Sequence, residues 1–237
     1  MVTVKSVSKH NSVALLGGTF DPVHIGHLRI AVRLRELGFE RVVMIPNNVP
    51  PHREQPIASG AARLAMLNLA IADLGGDLNG DLNGGLNGEL GSNLGGIETS
   101  EIELQRAEPS YSAATVEELH RLWPQACLTW VMGNDAWNGF DRWHQPERLL
   151  KYANVLVVSR PGDSARSDGW LGEIKQKNAS NTDTLLSSSG GKICHLHWPE
   201  LDISASDLRR AIKQGDNIVF LTPTQVQKYI KQHQLYR

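Results

Sequence analysis

The chain is expected to fold as an α/β protein: a doubly wound parallel sheet with helices on both faces and a helical segment at the C-terminal end. Three observations predict this. Short apolar runs of strand length alternate with longer segments of helical periodicity. That alternation is the pattern of strands joined by crossover helices, which gives a parallel sheet buried on both faces. With 237 residues, 41% of them hydrophobic, the chain can bury a substantial core without staples.

The elements follow in order. Val13 to Leu16 reads as a buried strand ended by the Gly17-Gly18 turn. From Gly26 to Leu37 the pattern is helical, with Ile30, Leu34 and Leu37 on one face and Arg29, Arg33 and Glu36 on another. Val42 to Ile45 is a second strand, stopped by Pro46, and Ala58 to Ala72 a helix carrying Leu64, Leu67 and Ile71. A third strand is expected at Ile102 to Leu104, then a helix from Ser112 to Trp123 through Val116 and Leu119. Strands at Leu128 to Met132, Val155 to Val158 and Ile193 to Leu196 complete the sheet. Two helices close the chain, Ser204 to Lys213 and Thr224 to Gln232. Gly215 stands as a stop signal for the first, and Pro223 suits the first turn of the second.

Residues 1–237 read as one domain with two interruptions. Residues 73–96 are six tandem tetrapeptides (DLGG, DLNG, DLNG, GLNG, ELGS, NLGG) and hold nine of the chain's 22 glycines. Each interior Gly costs a helix about 1 kcal/mol, so the segment is expected to be a low-complexity surface loop. Residues 162–191 form a second polar stretch, expected as a surface excursion with a short helix at Trp170 to Lys177.

Composition excludes several function classes. Lys plus Arg is 24 and Asp plus Glu is 25, so no global positive field exists to hold nucleic acid through its phosphates. No run approaches the ~20 apolar residues of a membrane span, and the first dozen residues lack a signal-peptide core. Two cysteines, Cys127 and Cys194, are too few for a disulfide framework or a four-thiolate zinc site. The expectation is a cytoplasmic protein of small-molecule chemistry, with no membrane partner. A homo-oligomer is compatible with the sequence.

The most informative stretch is Gly17-Gly18-Thr19-Phe20-Asp21-Pro22-Val23-His24-Ile25-Gly26-His27, directly after the first strand. Paired glycines allow close backbone approach to a ligand, and the helix that follows offers free N–H groups and a positive dipole end. His24 and His27, three apart, sit on neighbouring helix positions and can both donate to phosphate oxygens. Near the C-terminus, Ser204-Ala205-Ser206-Asp207-Leu208-Arg209 opens a helix. Ser204 or Ser206 can cap it, and Arg209 is left to reach a ligand. Between these two lie Pro46-Asn47-Asn48-Val49-Pro50-Pro51-His52-Arg53, Ser110-Tyr111-Ser112-Ala113-Ala114-Thr115, Gly133-Asn134-Asp135 and Trp143-His144.

The first string resembles the His-x-Gly-His signature of the nucleotidyltransferase superfamily, spelled here His24-Ile25-Gly26-His27. The second resembles that superfamily's Ser-Ser/Ala-Thr-x-x-Arg phosphate motif, with Ser206 where Thr is usual. Together with the four middle segments, the chain closely resembles the bacterial nicotinate-nucleotide adenylyltransferases from Leu15 to Arg237, apart from the repeat and the 162–191 stretch.

That resemblance implies a Rossmann-like fold, ATP as one substrate with Mg²⁺ arriving on it, and nicotinate mononucleotide as the other. It implies that Gly17, Gly18, Thr19, Phe20, Ser204 and Ser206 bind ATP phosphates, with His24, His27 and Arg209 as the catalytic set. It further places Asn47, His52, Arg53, Ser112, Asp135, Trp143 and His144 around the mononucleotide. In this picture His52 and Arg53 meet the phosphate, and Ser112 and the backbone near Trp143 and His144 hold the nicotinate carboxylate. Trp143 stacks on the ring, Asp135 bonds a ribose hydroxyl, and Arg160 stands at the end of the fifth strand. Ser112 keeps the hydroxyl of the family's usual Thr, whereas His144 replaces a usual Tyr.

Rival readings keep the motifs and change the acceptor to nicotinamide mononucleotide or phosphopantetheine, or remove catalysis to leave a nucleotide-binding regulator. A class I synthetase is excluded by size and by the missing lysine-rich second motif.

Overall fold

The computed structural model describes residues 11–48, 55–75, 95–106, 109–159, 163–198 and 201–237. Six strands form one sheet: β1 (Ser12–Gly18), β2 (Arg41–Pro46), β3 (Ile97–Thr99), β4 (Cys127–Gly133), β5 (Asn154–Ser159) and β6 (Ile193–His197). Their spatial order is β3-β2-β1-β4-β5-β6 and every pairing is parallel. This is the doubly wound arrangement, with the chain reversing direction across the sheet between β1 and β4.

Successive strand residues point to opposite faces, and both faces are apolar. Ala14, Leu16, Val42, Met44, Val131 and Leu156 pack beneath α1 (Ile25–Glu36), α2 (Gly60–Gly75) and α9 (Thr224–Gln232). Val13, Leu15, Val43, Leu128, Trp130 and Val155 pack beneath α3 (Ser112–Leu122), α5 (Pro146–Tyr152) and α6 (Gly169–Asn178). Register ties the two halves together: Leu15 pairs with Val43 on one side and with Trp130 on the other.

Several expectations are corrected. The third strand is Ile97–Thr99, not residues 102–104. The sequence alternates apolar and polar residues across both segments, so periodicity alone cannot choose between them. Pairing chooses: the Val42 N–H donates to the Gly96 carbonyl, and the Ser100 N–H to the Met44 carbonyl closes the ladder. Beyond it, the Gln105 N–H folds back onto the Glu101 carbonyl as a turn. In α1 the fully buried stripe is Leu28, Ala31 and Leu34, while Ile30 faces a cavity. Residues 163–191 are not merely a surface excursion. There α6 buries Leu171 and Ile174, and α7 (Thr182–Leu185) buries Leu185.

Short elements that periodicity could not show are α4 (Asn134–Trp137), a 3₁₀ turn at Phe140–Arg142, α5 and α7. The closing pair of helices is as expected: α8 (Ala205–Gln214) stops at Gly215, and α9 follows Pro223. Of the Gly-Leu-Asn repeat, residues 73–75 end α2 and residues 95–96 lead into β3; residues 76–94 lie outside the described part. Among the described residues, no helix is long and apolar enough to cross a membrane.

Candidate active site

The cleft opens where β1 and β4 end side by side. Gly17 has no room for a side chain, because a Cβ there would lie 2.6 Å from the Trp130 indole of β4. The chain then turns and enters α1, with His24 at its N-cap and His27 in its first turn. His24 is buried, and its ring stacks on His27 with centroids 3.7 Å apart. Gly26 leaves space for that stack, since a Cβ on it would meet the His24 Nδ1 at 3.0 Å. Phe20 is buried and packs edge-to-face with the His27 ring, centroids 5.0 Å apart, so its side chain braces the histidine.

Electrostatics decide what these histidines can do. Burial pushes the His24 pKa down to about 4. Burial, and then the neighbouring His24, push His27 well below its ordinary value. Both shifts favour the neutral imidazole at pH 7, a form that still offers an N–H donor to a phosphate oxygen. The His24 backbone N–H donates to the His27 Nδ1 at 3.3 Å. A neutral imidazole that accepts at Nδ1 must carry its proton on Nε2, so His27 has one N–H to offer a ligand. The His24 Nδ1 is buried with no hydrogen-bond partner among the described residues.

The second wall is the start of α8. Ser204, not Ser206, is the cap: its Oγ accepts from the Asp207 N–H at 3.1 Å and donates to the Asp207 carboxylate at 2.7 Å. The exposed Ser206 Oγ accepts from Arg209 Nη2 at 3.2 Å. The other nitrogen, Arg209 Nη1, donates to the Asp21 carbonyl at 2.7 Å. Arg209 thus bridges α8 to the Gly17–Pro22 turn, and its guanidinium lines the cavity.

Two cavities meet here. One, of about 650 Å³, lies between Gly17–Asp21, the histidines, and Ser204, Ser206 and Arg209. The other, of about 730 Å³, lies over β4 and is lined by Asn47, Ser112, Asp135, Trp143 and His144. Gly17, Gly18, Thr19, His27 and Ile30 belong to both.

The second cavity has an aromatic wall. Trp143 is half-buried and stands edge-on to Phe140 at 5.3 Å. His144 stacks on Tyr111 at 4.3 Å, so the two rings form one aromatic surface. Asn47 Nδ2 donates to the Thr19 hydroxyl at 3.2 Å, and the Asp135 carboxylate lies against Gly133. Among the described residues no cluster of three His, Cys, Asp or Glu side chains is placed to hold a metal.

Comparison with known proteins places this geometry. A cytidylyltransferase-like family profile matches residues 15–83. A probable nicotinate-nucleotide adenylyltransferase of Chromohalobacter salexigens is 37% identical over 228 residues, covering 94% of this chain and 95% of that protein. The nicotinate-nucleotide adenylyltransferase of Salmonella typhimurium is 38% identical over 231 residues, covering 94% of this chain and 98% of that one. The chain belongs to the nicotinate-nucleotide adenylyltransferase family.

The fold of this family member also matches a distant one. The Plasmodium falciparum nicotinic acid mononucleotide adenylyltransferase, solved in complex with NaAD, superposes with a TM-score of 0.68 at 16% identity, covering 96% of this chain and 98% of that one.

Within the family frame, the two cavities gather every expected site residue that the structure describes. His52, Arg53 and Arg160 lie outside the described residues. Sequence reasoning missed the groups that hold the site. Asp21 is buried, and its carboxylate accepts from the Ile57 and Ala58 N–H groups at 2.8 and 3.1 Å and from the Tyr236 hydroxyl at 2.6 Å. Arg63, 1% exposed, donates to the Thr19 carbonyl at 2.8 Å and the Asn47 carbonyl at 2.7 Å, tying the ends of β1 and β2 together. An arginine inside the apolar pattern of α2 was the available signal. Nothing in the sequence pointed Tyr236 at Asp21.

Proposed function

We infer that the chain transfers the adenylyl group of ATP to nicotinate mononucleotide, giving nicotinate adenine dinucleotide and pyrophosphate. Family membership supports the reaction, and one observation carries its geometry: two cavities, each large enough for a nucleotide, share the Gly17–Gly18–Thr19 wall and His27. In this reading ATP lies on the α8 side with its α-phosphate at the shared wall, and the mononucleotide fills the cavity over β4.

The mononucleotide phosphate is already largely ionised near neutral pH and needs no strong base. Its oxygen attacks the α-phosphorus in line. The bond from that phosphorus to the bridging oxygen breaks, and pyrophosphate leaves with the electron pair. The protein contributes positioning and stabilisation of developing charge. His27 donates from Nε2, His24 from its buried ring, and Arg209 supplies the full positive charge at the β- and γ-phosphates. Neutral imidazoles fit this task, because an N–H donor needs no proton transfer to act. Thr19 and Ser206 add hydroxyls at the phosphate wall. Bound to ATP, Mg²⁺ would be held by phosphate oxygens and water rather than by a cluster of described side chains, and would supply further charge neutralisation at the phosphates.

On the acceptor side, Ser112 and the backbone near Trp143 and His144 take the nicotinate carboxylate, Trp143 covers the ring and Asp135 holds a ribose hydroxyl. A site arranged to bond a carboxylate with donors disfavours the carboxamide, whose NH₂ meets those donors. The test is pyrophosphate release with Mg²⁺–ATP, comparing nicotinate mononucleotide with nicotinamide mononucleotide. Strong preference for the acid is expected. Preference for the amide, or no release with either, overturns the acceptor.

A further inference from the structure

We propose that Glu103 is a positioning residue for the acceptor: a buried carboxylate that sets the substrate-facing turn before α3 and joins it to the Asn47–Asn48 loop. The proposal rests on the acceptor reading above, since it concerns the same cavity.

Glu103 is 3% exposed, lines the β4-side cavity and has no part in the reaction as described. A buried carboxylate is costly unless hydrogen bonds compensate it. Here two hydroxyls do so, one on each side of Tyr111 and Ser112. Thr115, fully buried in α3, donates to Glu103 Oε1 at 2.7 Å, and the Ser110 hydroxyl donates as well. Burial nonetheless pushes the Glu103 pKa upward, against those two bonds and the nearby Arg106.

Each hydroxyl also accepts, and this is where the network reaches the wall. Ser110 Oγ takes the Asn48 N–H at 2.9 Å, and Asn48 Nδ2 donates to the Arg106 carbonyl at 2.7 Å. Thr115 Oγ1 takes Arg106 Nη1 at 2.8 Å, and Arg106 is anchored by Glu118. A hydroxyl has one proton, so the donor directions follow from the acceptor-only carboxylate at the centre. Glu103 thereby fixes three pieces of one wall: the loop after β2, the Ser110–Ser112 turn, and the first turn of α3. No side chain caps α3, so its first N–H groups depend on this turn for their direction.

The experiment compares Glu103→Ala, Glu103→Gln and Thr115→Val by steady-state kinetics, varying each substrate separately. Glu103→Ala should raise the KM for nicotinate mononucleotide at least about fivefold, the scale of a lost buried hydrogen-bonding contact, with the KM for ATP unchanged. Glu103→Gln keeps the shape and an acceptor oxygen and should restore most of that loss. Thr115→Val removes one donor without opening a cavity and should raise the same KM by less; it carries the test if Glu103→Ala does not fold. The two KM values rising together, kcat falling with both KM values unchanged, or Gln behaving no better than Ala would each overturn the proposal. If wild-type protein releases pyrophosphate only with nicotinamide mononucleotide, the acceptor assignment fails instead. The same split, measured with that acceptor, then decides the role of Glu103.

Discussion

On the phosphate side of the cleft, Thr19, His24 and His27 lie within nine consecutive residues, delivered by one strand, one turn and the start of one helix. Arg209 is the only described group of the catalytic set that comes from elsewhere, and it docks back onto that same turn through the Asp21 carbonyl. On the acceptor side, Asn47, Ser112, Asp135 and Trp143 come from four separate segments, and Asn47 is tied to the end of β1 through the Thr19 hydroxyl. On the proposed assignment, the difference teaches that local covalent geometry builds the phosphate wall, whereas the cavity that would take the second substrate is assembled from loops held by a buried network. Substitutions on the two sides should therefore separate kinetically.

The largest effect is expected at the shared wall. His27→Ala should lower kcat tenfold or more, and up to about a hundredfold if its Nε2–H donates to the transition state. Unchanged turnover in a folded variant would remove the histidines from the chemistry. Next, Arg209→Ala should raise the KM for ATP roughly tenfold to a hundredfold, the range for a lost charge-assisted contact. Arg209→Lys should recover only part, because Lys lacks the fork that reaches Ser206 and the Asp21 carbonyl together. A rise in the mononucleotide KM instead would dissolve the division between the two sides.

A smaller effect is expected across the cleft. Trp143→Ala should raise the KM for nicotinate mononucleotide about two- to tenfold, the scale of a lost aromatic contact, and leave the KM for ATP alone. Equal effects on both substrates would place the indole in the core rather than at the ligand.

The phosphate side should also impose a pH dependence on stability. His24 has a folded pKa of about 4 against an ordinary value of 6.5, so the unfolded chain binds the proton first. Stability from this group is complete above pH 6.5 and is lost as pH falls toward 4, by an amount on the order of 3 kcal/mol. Denaturant unfolding at pH 7 and pH 5, compared with His24→Gln, reads it directly. A difference between the two pH values that is the same in the variant would assign the loss elsewhere. The smallest effect belongs to Tyr236→Phe, which deletes one hydroxyl donor to the buried Asp21. A loss of about 1–3 kcal/mol in stability is expected, with the mononucleotide KM unchanged.

What was legible in the sequence follows the same division. The strand–turn–helix carrying His24 and His27 could be read directly, because a Gly-Gly turn, an apolar strand and a helical repeat are local signals. The acceptor residues could be listed only through resemblance, and of their supports only Arg63 left a signal, as an arginine in an apolar helix. Glu103 stands inside the Ile102–Leu104 run, whose alternation reads as a strand and hides a buried carboxylate. The neutral state of the histidines was also hidden, since it depends on burial that no neighbouring residue announces.

The sequence by itself determined the alternation of strands and helices, the phosphate-facing turn and the capped start of α8, each a matter of short-range sterics and periodicity. Only the tertiary structure decided that Ile97–Thr99 and not the following run joins the sheet. It likewise decided that Tyr236 closes on Asp21 across 215 residues, and that Glu103 anchors the acceptor wall. The physical reason is common to all three. A hydrogen-bond partner distant in sequence is chosen by which buried polar group would otherwise remain unpaired, and that is known only once the core has closed around it.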